Sequence, residues 1–428
     1  MDRARVLHVK AGEFMLAEGP LRVKLLEGEA SICGARCREG YEFLLVAEKA
    51  VTVEALTDLR LEVHGGLEAK LEKSEKTVPE EWLSVVEELA KGRGTVMLVG
   101  HVDSGKTFMA TYIANKLVDE GFKVAVVDSD VGQSSIGPPA TIGMAVMEKP
   151  EPFLNELKME AGYFVGSTTP TGHLLPMVVG VRKLVDRARQ VADCIVIDTT
   201  GMVFGGPARA LKLYKAEVVR PDIAVLLERR GELSHLAKQL EALGIEVRRI
   251  PASRWVKPRG RGERRALRER AFQVHFKRRK PREVELDLTS TPLIGTYLGS
   301  GVQPSGLREE VKALLGVEVL YCESLPEGIV AIIEEKVAPR QVEVLRRRFG
   351  ETIKLLRKGF EKGLLVGLLD SEGLLLDVGV VKRLELEKSR ATVTTPLEDL
   401  GYVRAVKLGS IRLNEEYEEV ESLRPGFL

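Results

Sequence analysis

Gly100-His101-Val102-Asp103-Ser104-Gly105-Lys106-Thr107 follows the pattern GxxxxGK[ST], the spacing of a loop that cradles phosphate. The apolar run Thr95-Val96-Met97-Leu98-Val99 comes just before it, and a helix-like run from Phe108 to Leu117 comes just after. Strand, glycine-rich loop and helix in that order give the motif its physics. Successive backbone N–H groups curl around an anion, and the helix adds its positive end. The eight residues are expected to bind a nucleoside triphosphate, with Lys106 on the β- and γ-phosphates and the Thr107 hydroxyl on Mg²⁺ or another divalent cation. The loop alone leaves open what the triphosphate is used for.

Outward from the loop, the pattern alternates strand and helix. Phe122 to Val127, Cys194 to Asp198, Asp222 to Leu227 and Glu246 to Ile250 read as buried strands, and Leu174 to Ala188 and Gly231 to Leu243 as helices between them. Near-continuous apolar strands alternating with helices predict a mostly parallel sheet covered on both faces. Ligands on such sheets bind at the carboxyl ends of the strands, and each polar cluster here follows a strand. Asp128-Ser129-Asp130-Val131-Gly132-Gln133 comes first. A carboxylate there faces the γ-phosphate, where it holds a metal-bound water or takes a proton from an attacking hydroxyl; Gln133 orients a nucleophile or binds phosphate. Asp198 ends the next strand and reads as a contact to the Mg²⁺ shell or as a helix cap. Ser167 to His173 is a loop rich in hydroxyls, Pro and Gly that either clamps a substrate or merely connects. Arg254 to Arg282 is strongly basic, with Trp255, Phe272, His275 and Phe276 interleaved. Cations give phosphate affinity and aromatics give base stacking; a lid bringing arginines onto a transferring phosphoryl group and a solvated helix face are the other readings.

At 428 residues the chain is long enough for two to three domains of roughly 150 residues each. The expected layout is a β-rich N-terminal domain over 1–78, a core over 79–285 with a basic lid at 254–282, and a β-rich C-terminal domain over 286–428. The fold class is thus an α/β P-loop NTPase core with a mostly parallel sheet, flanked by β-rich domains. With 64 Lys and Arg against 63 Asp and Glu, net charge alone predicts no nucleic-acid partner; the uneven distribution does. Cys33 and Cys37 lack a second Cys or His pair to complete a zinc site, and four cysteines in all suggest a reducing, cytoplasmic setting. No run of about 18 apolar residues predicts a membrane span, and Met1 to Arg5 is not followed by the apolar segment of a signal peptide.

Taken together, GxxxxGKT, DxDxGQ, a TTP-type loop, a strand ending in T-G-Met and an Arg-rich lid resemble the polynucleotide 5′-hydroxyl kinases. These are the RNA kinases related to a subunit of the eukaryotic pre-mRNA cleavage complex and to ribosomal-RNA-processing kinases. The resemblance implies ATP as phosphoryl donor and the 5′-hydroxyl end of single-stranded RNA, or also DNA, as acceptor, in RNA processing or repair. It implies Lys106 on the transferred phosphate, Thr107, Asp130 and Asp198 at the metal, and Asp130 as base for the 5′-hydroxyl. Gln133 lies beside that base, Thr169 and Pro170 clasp the terminal nucleotide, and Arg259 and Arg264 are the lid arginines. Met202 stands where members of the family often carry Trp, and Lys257 to Gly262 is looser than the family's lid. The flanking domains would be surfaces for protein partners.

Two other readings stay open. A GTPase or ATPase switch would carry a guanine-reading NKxD after a strand, where Leu226-Leu227-Glu228-Arg229 stands instead. An ATP-bound, non-catalytic scaffold of an RNA-processing complex would use the flanking domains for assembly.

Overall fold

A computed structural model describes residues 5–47, 49–65, 70–75, 78–92, 94–253, 259–424 and 426. The chain divides into two units. The first comprises residues 1–137, 141–162 and 174–267, and the second residues 138–140, 163–173 and 268–428.

In the first unit, α1 (Glu81–Gly92) leads into β1 (Thr95–Gly100). Then come α2 (Lys106–Asp119), β2 (Val124–Ser129), β3 (Thr141–Met147), β4 (Ala161–Phe164), α3 (Leu174–Val191), β5 (Cys194–Thr199) and α4 (Gly206–Val219). The series ends with β6 (Ile223–Glu228), α5 (Ser234–Ala242), β7 (Glu246–Pro251) and α6 (Arg261–Arg278), of which the residues from Arg268 on belong to the second unit. The strands form one sheet in the order β4-β3-β2-β5-β1-β6-β7. Strands β2, β5, β1, β6 and β7 run parallel. β3 is antiparallel to β2, an addition that the reading of five parallel strands lacks. β1, β2, β5 and β6 are buried at every position, which is why they read as unbroken apolar runs rather than alternating ones. Chain order reverses on either side of β1, with β5 on one flank and β6 on the other. That reversal opens a crevice at the carboxyl ends of the strands.

The N-terminal residues of this unit fold as two antiparallel sheets of four and five strands. Strands such as Leu21–Glu27 and Ala50–Ala55 alternate buried and exposed positions, and their inner faces share one apolar cluster that includes Cys33 and Cys37. The two sheets form a small β-sandwich.

The second unit contains a large, mainly antiparallel sheet built from strands such as Arg282–Asp287, Leu364–Leu369, Leu375–Glu385 and Ala405–Leu413. It also contains a three-stranded sheet (Val319–Leu325, Gly328–Ile333, Thr352–Arg357) with helices Leu307–Leu315 and Pro339–Phe349 around a core of its own. These helices are an addition to the β-rich C-terminal domain expected over 286–428. Among the described residues no helix is long and apolar enough to cross a membrane.

Candidate active site at the phosphate loop

Residues 100–107 leave the buried end of β1 and turn directly into α2. Gly105 adopts φ 93° at the helix N-cap, and among the described residues no side-chain cap bonds the first amides of α2. Asp103 also takes a left-handed conformation, φ 57°. A helix start with its N–H groups uncapped is an anion site. Ser104 Oγ is buried and has no hydrogen-bond partner among the described residues. Lys106 is buried, with Nζ donating to His101 O at 2.8 Å. Burial lowers its pKa, while the carboxylates of Asp198, Asp130 and Asp103 act in the opposite direction.

Strand pairing brings the two acidic motifs together. β2 and β5 are parallel neighbours in which Asp128 sits opposite Asp198 and Ser129 opposite Thr199. The two aspartates after β2 have different surroundings. Asp128 is buried and accepts the N–H groups of Asp130 at 2.9 Å, Ile136 at 3.2 Å and Ser135. It ties the loop after β2 into shape and has no free face. Burial, then the nearby Asp198 charge, pushes its pKa up. Asp130 is half-buried; its Oδ1 accepts the N–H groups of Gly132 at 3.0 Å and Gln133 at 3.1 Å. Its Oδ2 has no hydrogen bond among the described residues and is free to meet a ligand.

Asp198 ends β5 beneath the loop. Thr107 Oγ1 donates to its Oδ2 at 2.6 Å, while Oδ1 is buried without a partner among the described residues. Burial raises the Asp198 pKa, against the lowering effect of Lys106 and Thr107. A hydroxyl and a carboxylate with one orphaned oxygen are suitable donors for a hard divalent cation. Among the described residues no three His, Cys, Asp or Glu side chains cluster as a self-sufficient metal site, so such a cation would need oxygens from the nucleotide as well. The chain after Asp198 passes tightly under the loop. A Cβ on Gly201 would stand 2.5 Å from Val102 Cγ2 and 2.6 Å from Val102 N.

The lid arginines named from the sequence lie at this loop. Arg259 donates its N–H to Asp103 Oδ2 at 2.9 Å and Nη1 to Gln133 Oε1 at 3.0 Å. Arg264, in the first turn of α6, donates Nη1 to Arg259 O at 2.6 Å and approaches Asp103 Oδ2 at 3.5 Å. Arg254, Trp255 and Lys257 lie outside the described residues. The remaining aromatics of the basic segment do not serve as stacking surfaces. Phe272 and Phe276 are fully buried, Phe276 stacks on Tyr417 with ring centroids 4.4 Å apart, and His275 Nε2 is bonded to Asp377 Oδ1 at 2.8 Å. Helix α6 uses these rings as its apolar stripe, so the stacking expectation fails for them.

Thr169 and Pro170 belong to the second unit, in the loop over 165–173. Ser410 N donates to Gly166 O at 2.7 Å, Ser410 Oγ bonds His173 Nε2 at 3.1 Å, and Ser167 Oγ receives the Thr169 N–H at 3.2 Å. The Thr169 side chain is left exposed.

Three site residues escaped the sequence reading. Phe204 follows β5 and is 54% exposed; its ring lies 5.4 Å from that of His101 in the loop and 6.3 Å from His235. Lys212 and Lys215 of α4 are wholly buried. The signal for the lysines was present: both fall on the apolar stripe of a helix.

Fold and site define a P-loop nucleoside-triphosphate-binding protein with aspartates and two arginines gathered at the loop. Residues 100–278 match the family described as the P-loop region of the mRNA cleavage and polyadenylation factor CLP1. Curated relatives include a polyribonucleotide 5′-hydroxyl-kinase of Thermococcus kodakarensis, 40% identical over 354 residues that make up 81% of this chain and 96% of the relative. The one from Methanocaldococcus jannaschii is 35% identical, over 76% of this chain and 88% of its own length. A solved structure of a Clp1p–Pcf11p complex matches the fold with TM-score 0.63 and 13% identity, covering 96% of this chain and 98% of that one. The chain belongs to the polyribonucleotide 5′-hydroxyl-kinase family.

Proposed function

We propose that this protein transfers the γ-phosphate of ATP to the 5′-hydroxyl of single-stranded RNA, and of DNA as a second acceptor, during RNA processing or repair. One observation carries the reading: Lys106, Thr107, Asp130, Asp198 and the Arg259–Gln133 pair meet at the carboxyl ends of adjacent strands. A kinase needs an open carboxylate oxygen beside the phosphate loop as base, and Asp130 Oδ2 supplies one.

In this mechanism the uncapped amides of α2 and the Ser104 hydroxyl hold the phosphates. Lys106 leaves His101 O for the transferred phosphoryl group. Thr107 and Asp198 would hold a divalent cation, which would supply neutralisation of charge on the phosphate oxygens. Asp130 Oδ2 takes the proton of the attacking hydroxyl, and Gln133 orients that hydroxyl. Arg259 and Arg264 balance the charge that develops as the phosphoryl group moves. Thr169 and Pro170 grip the terminal nucleotide. Buried, reduced cysteines suit a cytoplasmic protein, and the flanking domains are surfaces for protein partners.

The test is transfer of labelled γ-phosphate to matched 5′-hydroxyl RNA, DNA and duplex oligonucleotides. Lys106→Ala and Asp130→Asn each lower kcat by about 100-fold or more, as expected for losing an electrostatic stabiliser or a general base. Sustained transfer by either variant removes the role given to that residue. Binding of GTP alone in nucleotide competition contradicts the kinase reading.

A further inference from the structure

Helix α4 carries two lysines where its buried stripe calls for apolar residues. Ala208, Leu211, Lys212, Lys215, Ala216 and Val219 recur at three- and four-residue spacing and are all buried. Lys212 and Lys215 have no solvent exposure. Taking an ammonium out of water costs several kcal/mol unless it is well bonded, and Leu or Met would occupy the same stripe without that cost. What the two heads bond is therefore informative.

Lys212 Nζ donates to Thr199 Oγ1 at 2.7 Å and to Thr200 O at 2.6 Å, and Thr199 Oγ1 donates onward to Leu98 O at 2.6 Å. Lys215 Nζ donates to Ser129 Oγ at 2.9 Å, and Ser129 Oγ donates to Asp198 O at 2.8 Å. The two heads thus lace together the ends of β1, β2 and β5, the strands that present the phosphate loop, Asp130 and Asp198. An amine keeps N–H donors in either protonation state, so the lacing survives loss of a proton.

We propose that Lys212 and Lys215 are positioning residues for phosphoryl transfer, setting Asp130 and the Thr199-Thr200-Gly201 turn against the phosphate loop. The inference rests on the kinase reading above. Neither lysine touches substrate; each acts through the strand end that it bonds.

Lys212→Met and Lys215→Met test it in two measurements. In steady-state transfer to a 5′-hydroxyl RNA oligonucleotide, kcat falls about 30-fold or more while KM for ATP and RNA stays within about threefold, because a small misplacement of reacting groups costs on the order of 100-fold. In binding, the variants hold ADP as the wild type does and lose about tenfold in affinity for ADP with aluminium fluoride, a mimic of the transferring phosphoryl group. Among the described residues Lys215→Met removes one hydrogen bond, that to Ser129, and serves alone where Lys212→Met fails to fold. Unchanged kcat overturns the inference. So does loss of ADP affinity together with transfer, the mark of a merely structural role. A wild type that transfers nothing to any oligonucleotide overturns the kinase reading instead, and the fluoride arm still judges the lysines.

Discussion

Asp128 and Asp130 show how two identical side chains, two residues apart, acquire different work. Asp128 is turned inward and accepts three backbone N–H groups; Asp130 keeps Oδ2 open. Replacing Asp128 by Ala leaves those amides unsatisfied in a buried site, at about 1–3 kcal/mol each at most. We expect Asp128→Ala to lower the melting temperature by several degrees, and Asp130→Asn to leave it near the wild type while abolishing transfer. A thermal melt of both variants checks this. Phe204 is the other residue-scale case. Its exposed ring beside His101 supplies an aromatic surface two positions beyond Met202, where the resemblance leads one to look for Trp. Stacking on a base is worth about 1–3 kcal/mol, so Phe204→Ala should raise KM for the oligonucleotide about tenfold with kcat unchanged. A rise in KM for ATP instead would assign the ring to adenine.

At the scale of elements, the sheet and its helices decide which charges are buried together. The parallel register of β2 and β5 sets Asp128 opposite Asp198, and α4 inserts Lys215 beneath them. Burial lowers the Lys215 pKa from its ordinary value to about 7, with Asp130, Asp128 and Asp198 opposing the shift. Between about pH 7 and the ordinary lysine value, the unfolded chain then binds a proton that the folded chain does not. Stability from this group therefore rises with pH across that window, at a slope of at most about 1.4 kcal/mol per pH unit. Urea unfolding of the wild type at about pH 7.5 and 9.5 should show the rise, and Lys215→Met should flatten it. An equal slope in the variant would assign the effect elsewhere. Removing divalent cations with a chelator should stop transfer while ADP binding persists, because in the proposed mechanism the α2 amides and Lys106 hold phosphate without the metal.

At the scale of the whole molecule, the second unit draws residues 163–173 away from the sequence neighbours that flank them. Phe164 packs against Gly367, where an added Cβ would stand 2.5 Å from Phe164 Cγ. The ring is buried and cannot yield easily, so Gly367→Ala should destabilise by about 1–3 kcal/mol, read as a lower melting temperature; an unchanged melt would show that the ring can move. Because this unit is assembled from separate stretches, a boundary drawn along the sequence at 285/286 does not coincide with its edge: α6 itself crosses from one unit to the other at Arg268.

The sequence by itself determined the phosphate loop, the parallel core strands and the acidic residues at their ends. Each depends on local order: a buried strand is continuous and apolar, and a phosphate loop needs glycines and a helix start at fixed spacing. Tertiary structure alone decided which of Asp128 and Asp130 stays open, that Phe272 and Phe276 pack inward, and that Lys212 and Lys215 brace three strand ends. Those outcomes depend on which groups, far apart in the chain, come to share a buried space. The apolar stripe of α4 marks Lys212 and Lys215 as facing inward, but only the neighbouring strands show what their heads bond.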